Sequence, residues 1–203
     1  MTSISNNFDE RWRVNIDISN RCPLECHSCS RQVWYRNKGL KVPGKDMSLE
    51  VFNKIISHYK QVNFCGQVSD PIHHPKLITF LNIMKEKNIM AVIHTASGYK
   101  SKEWFIKAFK TNPDARWLFG IDGVPEVSHT YRINQDGVKL FDIMLEAKKY
   151  LNKRPVWQYI LMDFNLKYLN EAMNLATKHN LEFKQIIDRK NLSEGGYIEQ
   201  FKT

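Results

Sequence analysis

The chain alternates two hydrophobic periods along most of its 203 residues, and this alternation constrains its fold more than any other feature. Runs typical of β-strands occur at residues 12–18, 61–65, 89–95, 116–122, 155–162 and 181–187. Apolar residues at helical spacing occupy residues 49–59, 77–84, 102–110, 140–151 and 166–176. Ser48 and Asn165 stand where N-caps belong. Because strands that alternate with helices form right-handed βαβ units, we expect a mainly parallel six-stranded sheet.

Six such units are too few for a closed eight-stranded barrel, which leaves an open partial barrel or a flat doubly wound sheet. Both architectures bind ligands where the carboxyl ends of the strands meet the connecting loops. The unusual residues follow the first four strands: a cysteine loop at 22–29, CGQVSDP at 65–71, TASG at 95–98 and IDG at 121–123. We therefore expect these four loops to form one site.

Size and charge limit the classes of protein to consider. A chain of this length that is 42% hydrophobic suits one domain, residues 1–203, with polar tails at 1–10 and 189–203. No signal peptide and no apolar run near the ~20 residues that span a bilayer is found, so we expect a cytoplasmic protein without membrane contact. The net charge of +9 favours an anionic partner, but scattered lysines and arginines are also typical of a solvated surface.

Three of the four cysteines, Cys22, Cys26 and Cys29, lie within one C-x3-C-x2-C loop after the first strand. This crowding favours metal binding in a reducing compartment over a disulfide framework. Thiolates suit both zinc and the iron of an iron–sulfur cluster. A zinc site needs a fourth ligand, and His27 is poorly placed for it, whereas a [4Fe–4S] cluster held by three cysteines leaves one iron open. We expect Cys65 to be a free thiol.

This spacing after the first strand of a six-fold βα repeat resembles the radical S-adenosylmethionine (SAM) superfamily. The resemblance implies a partial (β/α)6 TIM-like barrel in which Cys22, Cys26 and Cys29 bind a [4Fe–4S] cluster. Its open iron is chelated by the amino and carboxylate groups of SAM. It also implies an external one-electron reductant of flavodoxin or ferredoxin type, and reductive cleavage of SAM to a 5′-deoxyadenosyl radical that abstracts hydrogen from the substrate. The family often has an aromatic residue before the third cysteine; here Ser28 removes any ring stacking on adenine.

FCGQVSDPIHHP at 64–75 resembles the family's Gly-Gly-Glu-Pro motif with its following His-Pro. Gly66 stands at the strand end, and Ser69 and Asp70 occupy the Gly-Glu positions. The resemblance implies that Asp70 accepts a hydrogen bond from the amino group of SAM, although Ser-Asp-Pro is also ordinary turn chemistry. His73 and His74 are expected to cap or pack.

Two further loops resemble SAM-binding segments of the family. In TASG, Ser97 is expected at the ribose or carboxylate of SAM. FGIDGVPEVSHTYR at 119–132 resembles a run of peptide-maturase-like enzymes. There Asp122 either contacts the ribose or structures the turn, and Arg132 either pairs with the carboxylate of SAM or is a surface charge. Gln158, polar within the fifth strand, either reaches the barrel lumen or packs at the sheet edge.

The substrate is less constrained. No cysteine follows Cys65, so we expect a single-cluster enzyme without the C-terminal auxiliary-cluster domain of peptide maturases, its mouth closed by a macromolecule. A peptide or protein substrate is favoured. The alternatives are a nucleic acid, suggested by the charge, a glycyl-radical enzyme to be activated and, from another class, a non-catalytic zinc-stabilised binding domain.

Overall fold

Six parallel strands pair in the order in which they occur along the chain. They are β1 (Arg13–Ile16), β2 (Gln61–Phe64), β3 (Met90–Thr95), β4 (Arg116–Gly120), β5 (Val156–Leu161) and β6 (Glu182–Ile187). The structure, a computed structural model, describes residues 12–187, so the tails predicted at 1–10 and 189–203 lie outside the described residues. Within the described range every pairing between these six strands is parallel, and β1 and β6 are the two edges.

Strand order decides between the two predicted architectures. A doubly wound sheet reverses its strand order at a switch point, whereas a barrel adds each strand to the same side of the last. The unreversed order β1 to β6 confirms the partial (β/α)6 barrel and excludes the flat doubly wound sheet. The first and fourth strands each end two residues earlier than predicted.

Within residues 12–187, six helices connect the strands. They are α1 (Ser30–Asn37), α2 (Leu49–Ile56), α3 (Leu77–Glu86), α4 (Lys102–Thr111), α5 (Gly137–Ala147) and α6 (Leu169–Lys178). Short 3-10 helices add Pro71–His73, Ser128–Thr130 and Asp163–Tyr168. The five predicted helices are confirmed, whereas α1 was missed because Arg31 is its only buried residue and no apolar stripe marks it. No helix within residues 12–187 is both long enough and apolar enough to cross a bilayer.

The two predicted N-caps have different outcomes. Ser48 caps α2, where its hydroxyl accepts a hydrogen bond from the Val51 amide at 3.2 Å. Asn165 as the cap of α6 is wrong, because α6 begins only after Tyr168. Asn165 instead lies in the preceding 3-10 helix, where its side-chain oxygen accepts from the Met162 amide at 2.9 Å. Asn165 therefore satisfies the backbone amide of the N-cap residue of the 3-10 helix, Met162.

The main core lies between the outer face of the sheet and the helices. Its largest fully buried side chains are aromatic: Phe52, Phe64, Phe80, Phe105, Phe109, Trp117, Phe119, Trp157 and Tyr159. Phe109 of α4 meets Trp117 of β4 edge to face, with ring centroids 5.0 Å apart. Since each such side chain contributes about 1.5–3 kcal/mol when buried, this layer fixes the helices on the sheet and holds the strand ends in place.

The inner face has a different character. Along β5, Trp157 and Tyr159 are buried in the outer core, while Gln158 and Ile160 turn inward and are partly exposed. Gln158 therefore reaches the lumen, the first of its two predicted settings. Below it lies a small apolar cluster formed by Met90, Val92, Leu118 and Val156.

Candidate active site

A cavity of about 250 Å³ opens at the carboxyl ends of the strands. Its walls come from the loops after β1, β2, β3 and β4 together with the inner face of the sheet. The residues that line it include Cys22, Cys26, Cys29, Arg31, Cys65, Gly66, Ser69, Asp70, His94, Tyr131, Arg132 and Gln158. The structure thus brings together the four loops that the sequence predicted to converge.

The cysteine loop is held in place by α1. Cys29 is the N-cap residue of that helix, and its carbonyl accepts from the Val33 amide at 2.9 Å. Arg31, only 6% exposed, donates from its guanidinium to the carbonyl oxygens of Cys22 at 3.3 Å and Leu24 at 3.2 Å. A third bond reaches the Asn20 carbonyl at 3.2 Å. One buried side chain therefore ties the start and middle of the loop to the helix that follows it.

Burial governs the acidity of two thiols of this loop, Cys22 and Cys26. It raises the pKa of Cys22 to about 12 and raises the pKa of Cys26, because an ionised sulfur loses its hydration inside the cavity. Positive charge acts against this effect: Arg31 lowers the pKa of Cys22, and Arg132 lowers that of Cys26. Cys22 and Cys26 are thus protonated at neutral pH until a metal displaces their protons, so metal binding should release acid.

The donor set at this wall fits an iron–sulfur cluster. Three thiols from one loop line the same cavity, and soft thiolate is the ligand that iron–sulfur clusters take. Each cysteine of a [4Fe–4S] cluster binds a different iron, so the sulfurs surround a cube and need not converge on a point. Among residues 12–187, no three or more His, Cys, Asp or Glu side chains gather closely enough around one point to hold a single ion.

Asp70 connects the loops after β2 and β3. Its carboxylate is 3% exposed and accepts hydrogen bonds from the Thr95 hydroxyl at 3.0 Å, the Ala96 amide at 2.8 Å and the Ser97 amide at 2.9 Å. A further bond comes from the Ile72 amide at 3.3 Å. Burial raises the pKa of Asp70 to about 6 against the opposing effect of these donors. Asp70 therefore orders the end of β3, and its contact with a SAM amino group stays a prediction.

Ser97 lies behind the cavity wall. Its side chain is fully buried, is not among the residues that line the cavity, and its hydroxyl contacts His73 Nε2 at 2.9 Å. A direct SAM contact for Ser97 likewise stays a prediction. His74 packs against the Phe80 ring, with centroids 4.7 Å apart, and its Nε2 contacts the Met47 carbonyl at 3.0 Å.

The turn after β2 depends on a residue that the sequence did not single out. Asp17, just after β1, accepts from the Ser69 hydroxyl at 3.0 Å and the Val68 amide at 3.3 Å. The Cys65 thiol also contacts Asp17, with Sγ and Oδ2 3.7 Å apart. Gly66 has a φ of +61°, in the left-handed region that favours glycine, and a Cβ there would lie 3.1 Å from the Ser69 carbonyl oxygen. A side chain at position 66 would thus strain this turn.

Asp122 and Arg132 form a buried ion pair, with Oδ2 and Nε 2.7 Å apart. Asp122 is fully buried and also accepts from the Ile160 amide at 2.7 Å, whereas Arg132 reaches the cavity wall. Gly120 leaves room for the guanidinium, because a Cβ there would lie 3.0 Å from Arg132 Nη2. Asp122, which does not line the cavity, thus fixes the position of Arg132, which does. A ribose contact for Asp122 stays a prediction.

Two more polar groups at the site escaped the sequence analysis. His94 of β3 contacts Gln158 of β5 across the lumen, with Nδ1 and Oε1 3.1 Å apart. The buried Gln135 donates to the carbonyls of Ala96 at 2.6 Å and Gly120 at 2.8 Å, joining the ends of β3 and β4. The alternation of β3 could have indicated His94, because it lies two residues after Val92 and therefore on the same face of the strand. No sequence pattern indicated Gln135.

No protein-family model and no curated protein sequence matches the chain. Solved structures do. Methylornithine synthase (PylB) aligns with a TM-score of 0.62 and 14% identity over 94% of this chain and 61% of its own. Streptococcus suis SuiB bound to S-adenosylmethionine aligns with a TM-score of 0.67 and 10% identity, covering 87% of this chain and 40% of SuiB.

The same protein bound to its precursor peptide SuiA gives a TM-score of 0.65 at 10% identity, over 86% of this chain and 39% of SuiB. The chain thus spans less than two thirds of the length of either protein. At these identities the likeness concerns the fold. The chain shares its fold with PylB and SuiB.

Proposed function

We propose that the chain is a radical SAM enzyme in which Cys22, Cys26 and Cys29 hold a [4Fe–4S] cluster. One observation carries the proposal: the three thiols of a C-x3-C-x2-C loop line one cavity at the carboxyl ends of an open parallel barrel. The fold shared with SuiB, a protein whose structure has been determined with SAM, supports it. When bound, such a cluster supplies one electron for the reductive cleavage of SAM, which yields a 5′-deoxyadenosyl radical that abstracts hydrogen from the substrate.

Different residues of the cavity would bind the cluster and the different groups of SAM. Arg31 holds the cysteine loop through three backbone carbonyls, so the thiols keep their positions when they lose their protons. Arg132, fixed by Asp122, presents a guanidinium at the cavity wall and suits the carboxylate of SAM. Asp70 and the turn at Gly66 and Ser69 line the same cavity, and a carboxylate there suits the amino group of SAM.

The inner face of the barrel is the proposed substrate surface. Gln158 and His94 form its floor near the cavity, and both line it. Further down the lumen the Asn63 amide donates to Asn15 at 2.7 Å, in a partly exposed part of the sheet. Side-chain amides both donate and accept hydrogen bonds, as peptide groups do, which suits a peptide or protein substrate. The structure of SuiB with a precursor peptide supports the same class.

The proposal is tested by anaerobic reconstitution of the protein with iron and sulfide, followed by incubation with dithionite and SAM. We expect 5′-deoxyadenosine and methionine, detected by mass spectrometry, and neither product from a Cys26→Ser variant treated identically. A reconstituted protein that contains iron but leaves SAM intact would contradict the proposal.

The substrate class is tested separately with peptide and oligonucleotide pools. We expect peptides to raise the rate of SAM cleavage. Stimulation by oligonucleotides instead, lost with rising salt, would replace the peptide by a nucleic acid.

A further inference from the structure

A second cavity, larger than the first, lies on the other side of the cysteine loop. It has a volume of about 840 Å³ and is enclosed by that loop, by α1 and by the segment at residues 40–44; we call it the α1 groove. Cys22 and Arg31 line both the α1 groove and the active-site cavity. A molecule seated in the α1 groove therefore comes within one side chain of the proposed cluster without entering the substrate side.

The walls of the α1 groove are basic. Arg21, Arg31, Arg36 and Lys41 line it, against the single carboxylate of Glu25. Arg21 is compensated by Asp46, with Nε and Oδ2 3.0 Å apart. Within the described residues, Arg36 and Lys41 form no ion pair and both are exposed. The groove thus presents uncompensated positive charge beside the cysteine loop.

Apolar side chains flank this charge. Leu40 lines the groove and is 55% exposed, and Trp34 on α1 is 49% exposed with the Lys38 ammonium 4.1 Å from its ring centroid. Val33, which precedes Trp34 in α1, is also exposed. Exposed aromatic and aliphatic side chains among arginines and lysines are typical of protein-binding surfaces, whereas a small anion needs only the charge. The combination fits an acidic protein surface.

We propose that the α1 groove is the docking surface for an acidic one-electron donor protein. The inference rests on the proposed function, which consumes one electron for each SAM cleaved while the substrate occupies the barrel mouth. In the docked complex the donor's reduced cofactor is oxidised by one electron and the cysteine-held cluster is reduced by one. No proton or chemical group crosses the interface, so the surface needs only proximity to Cys22 and complementary charge.

The test reverses the charge of the groove in an Arg36→Glu/Lys41→Glu variant. A purified reduced flavodoxin is the probe, and its oxidation by the reconstituted protein is followed by anaerobic stopped-flow absorbance. We expect the bimolecular rate to fall at least ~10-fold at low ionic strength, because rim charges set association rates, and the wild-type rate to fall with added salt. Cleavage of SAM driven by dithionite, a small reductant that needs no docking, should be unchanged.

The matched control reverses two exposed lysines on distant helices, Lys85→Glu/Lys107→Glu, and should keep the wild-type rate. An equal fall in both variants, or none in the groove variant, would overturn the proposal. Direct binding of the flavodoxin, measured by calorimetry on protein without iron, separates this inference from the proposed function. If the groove variant keeps wild-type affinity for flavodoxin but loses oligonucleotide binding, the groove binds nucleic acid. This result would overturn the proposal of a donor protein.

Discussion

The two faces of the sheet are built from alternate residues of the same strands, yet they are chemically opposite. In β2, Val62 and Phe64 turn outward and are fully buried, while Asn63 turns inward and remains partly exposed. In β5, Trp157 joins the aromatic core and its neighbour Gln158 contacts His94 at the cavity. A strand can therefore carry packing on one face and binding on the other, because its side-chain period is two residues.

The difference predicts a separation of effects. Outer-face substitutions should lower the free energy of unfolding and leave the site chemistry intact in the folded fraction. Substitutions at the cavity should abolish binding or catalysis at little cost to the fold. An outer-face substitution that abolishes the site chemistry in the folded fraction would break the comparison.

The largest effect is expected at the cysteine loop. Cys26→Ala should abolish SAM cleavage and most iron binding, because a cluster held by two thiolates is poorly retained. The free energy of unfolding of the iron-free protein should stay within about 0.5 kcal/mol of wild type, since Cys26 lies in a loop outside the core. Iron content after reconstitution and urea denaturation measure the two quantities. Cys65→Ala is the matched control and should keep its iron; loss of iron there would make Cys65 a ligand.

The outer face should respond in the opposite way. Trp117→Ala removes a fully buried ring that packs on Phe105 and Phe109, and should lower the free energy of unfolding by about 3–5 kcal/mol. Its inner-face counterpart, Asn63→Ala, loses one side-chain network and should cost about 1 kcal/mol. Urea denaturation of the iron-free proteins gives both values. Equal losses would show that the inner face also carries the stability of the barrel.

Asp70 lies on neither face of the sheet, but it lines the cavity and also orders the end of β3. Burial raises its pKa from the ordinary carboxyl value of 3.8 to about 6 in the folded protein. The unfolded chain therefore releases this proton first, and stability should fall as pH rises from about 4 to about 6, by about 3 kcal/mol for a two-unit difference. Asp70→Asn removes the titration, so the difference between its unfolding free energy and that of wild type should change with pH in this window. A difference independent of pH would contradict the raised pKa.

The smallest effect is expected at the exposed start of α2. Ser48→Ala removes the hydroxyl that accepts from the Val51 amide and should cost about 1 kcal/mol. Ser48→Asp supplies another good cap and should restore most of that loss. Thermal unfolding measures both variants. SAM cleavage should be unchanged, and a loss of activity in Ser48→Ala would connect α2 to the site.

The outer face of the sheet could be predicted from the sequence, because burial imposes a hydrophobic period on the strands and helices. The cysteine loop could be predicted because the spacing of its cysteines is a local pattern. Neither condition holds for α1, whose one buried residue is Arg31, a cation that faces backbone carbonyls. Asp17 and Gln135 also escaped, because their hydrogen bonds join segments that only the folded sheet brings together. The residues that follow strand ends are hardest to predict, since no period fixes where the side chains of Ser97 and Asp122 point.

The central claim is that three cysteines hold a cluster with one iron left for SAM, and Mössbauer spectroscopy of protein reconstituted with ⁵⁷Fe tests it most directly. Irons bound by Cys22, Cys26 and Cys29 share one ligand type, whereas the remaining iron does not. Addition of SAM should therefore shift the spectrum of one iron site and leave those of the cysteine-bound irons nearly unchanged. A spectrum in which all irons are equivalent and insensitive to SAM would contradict the account.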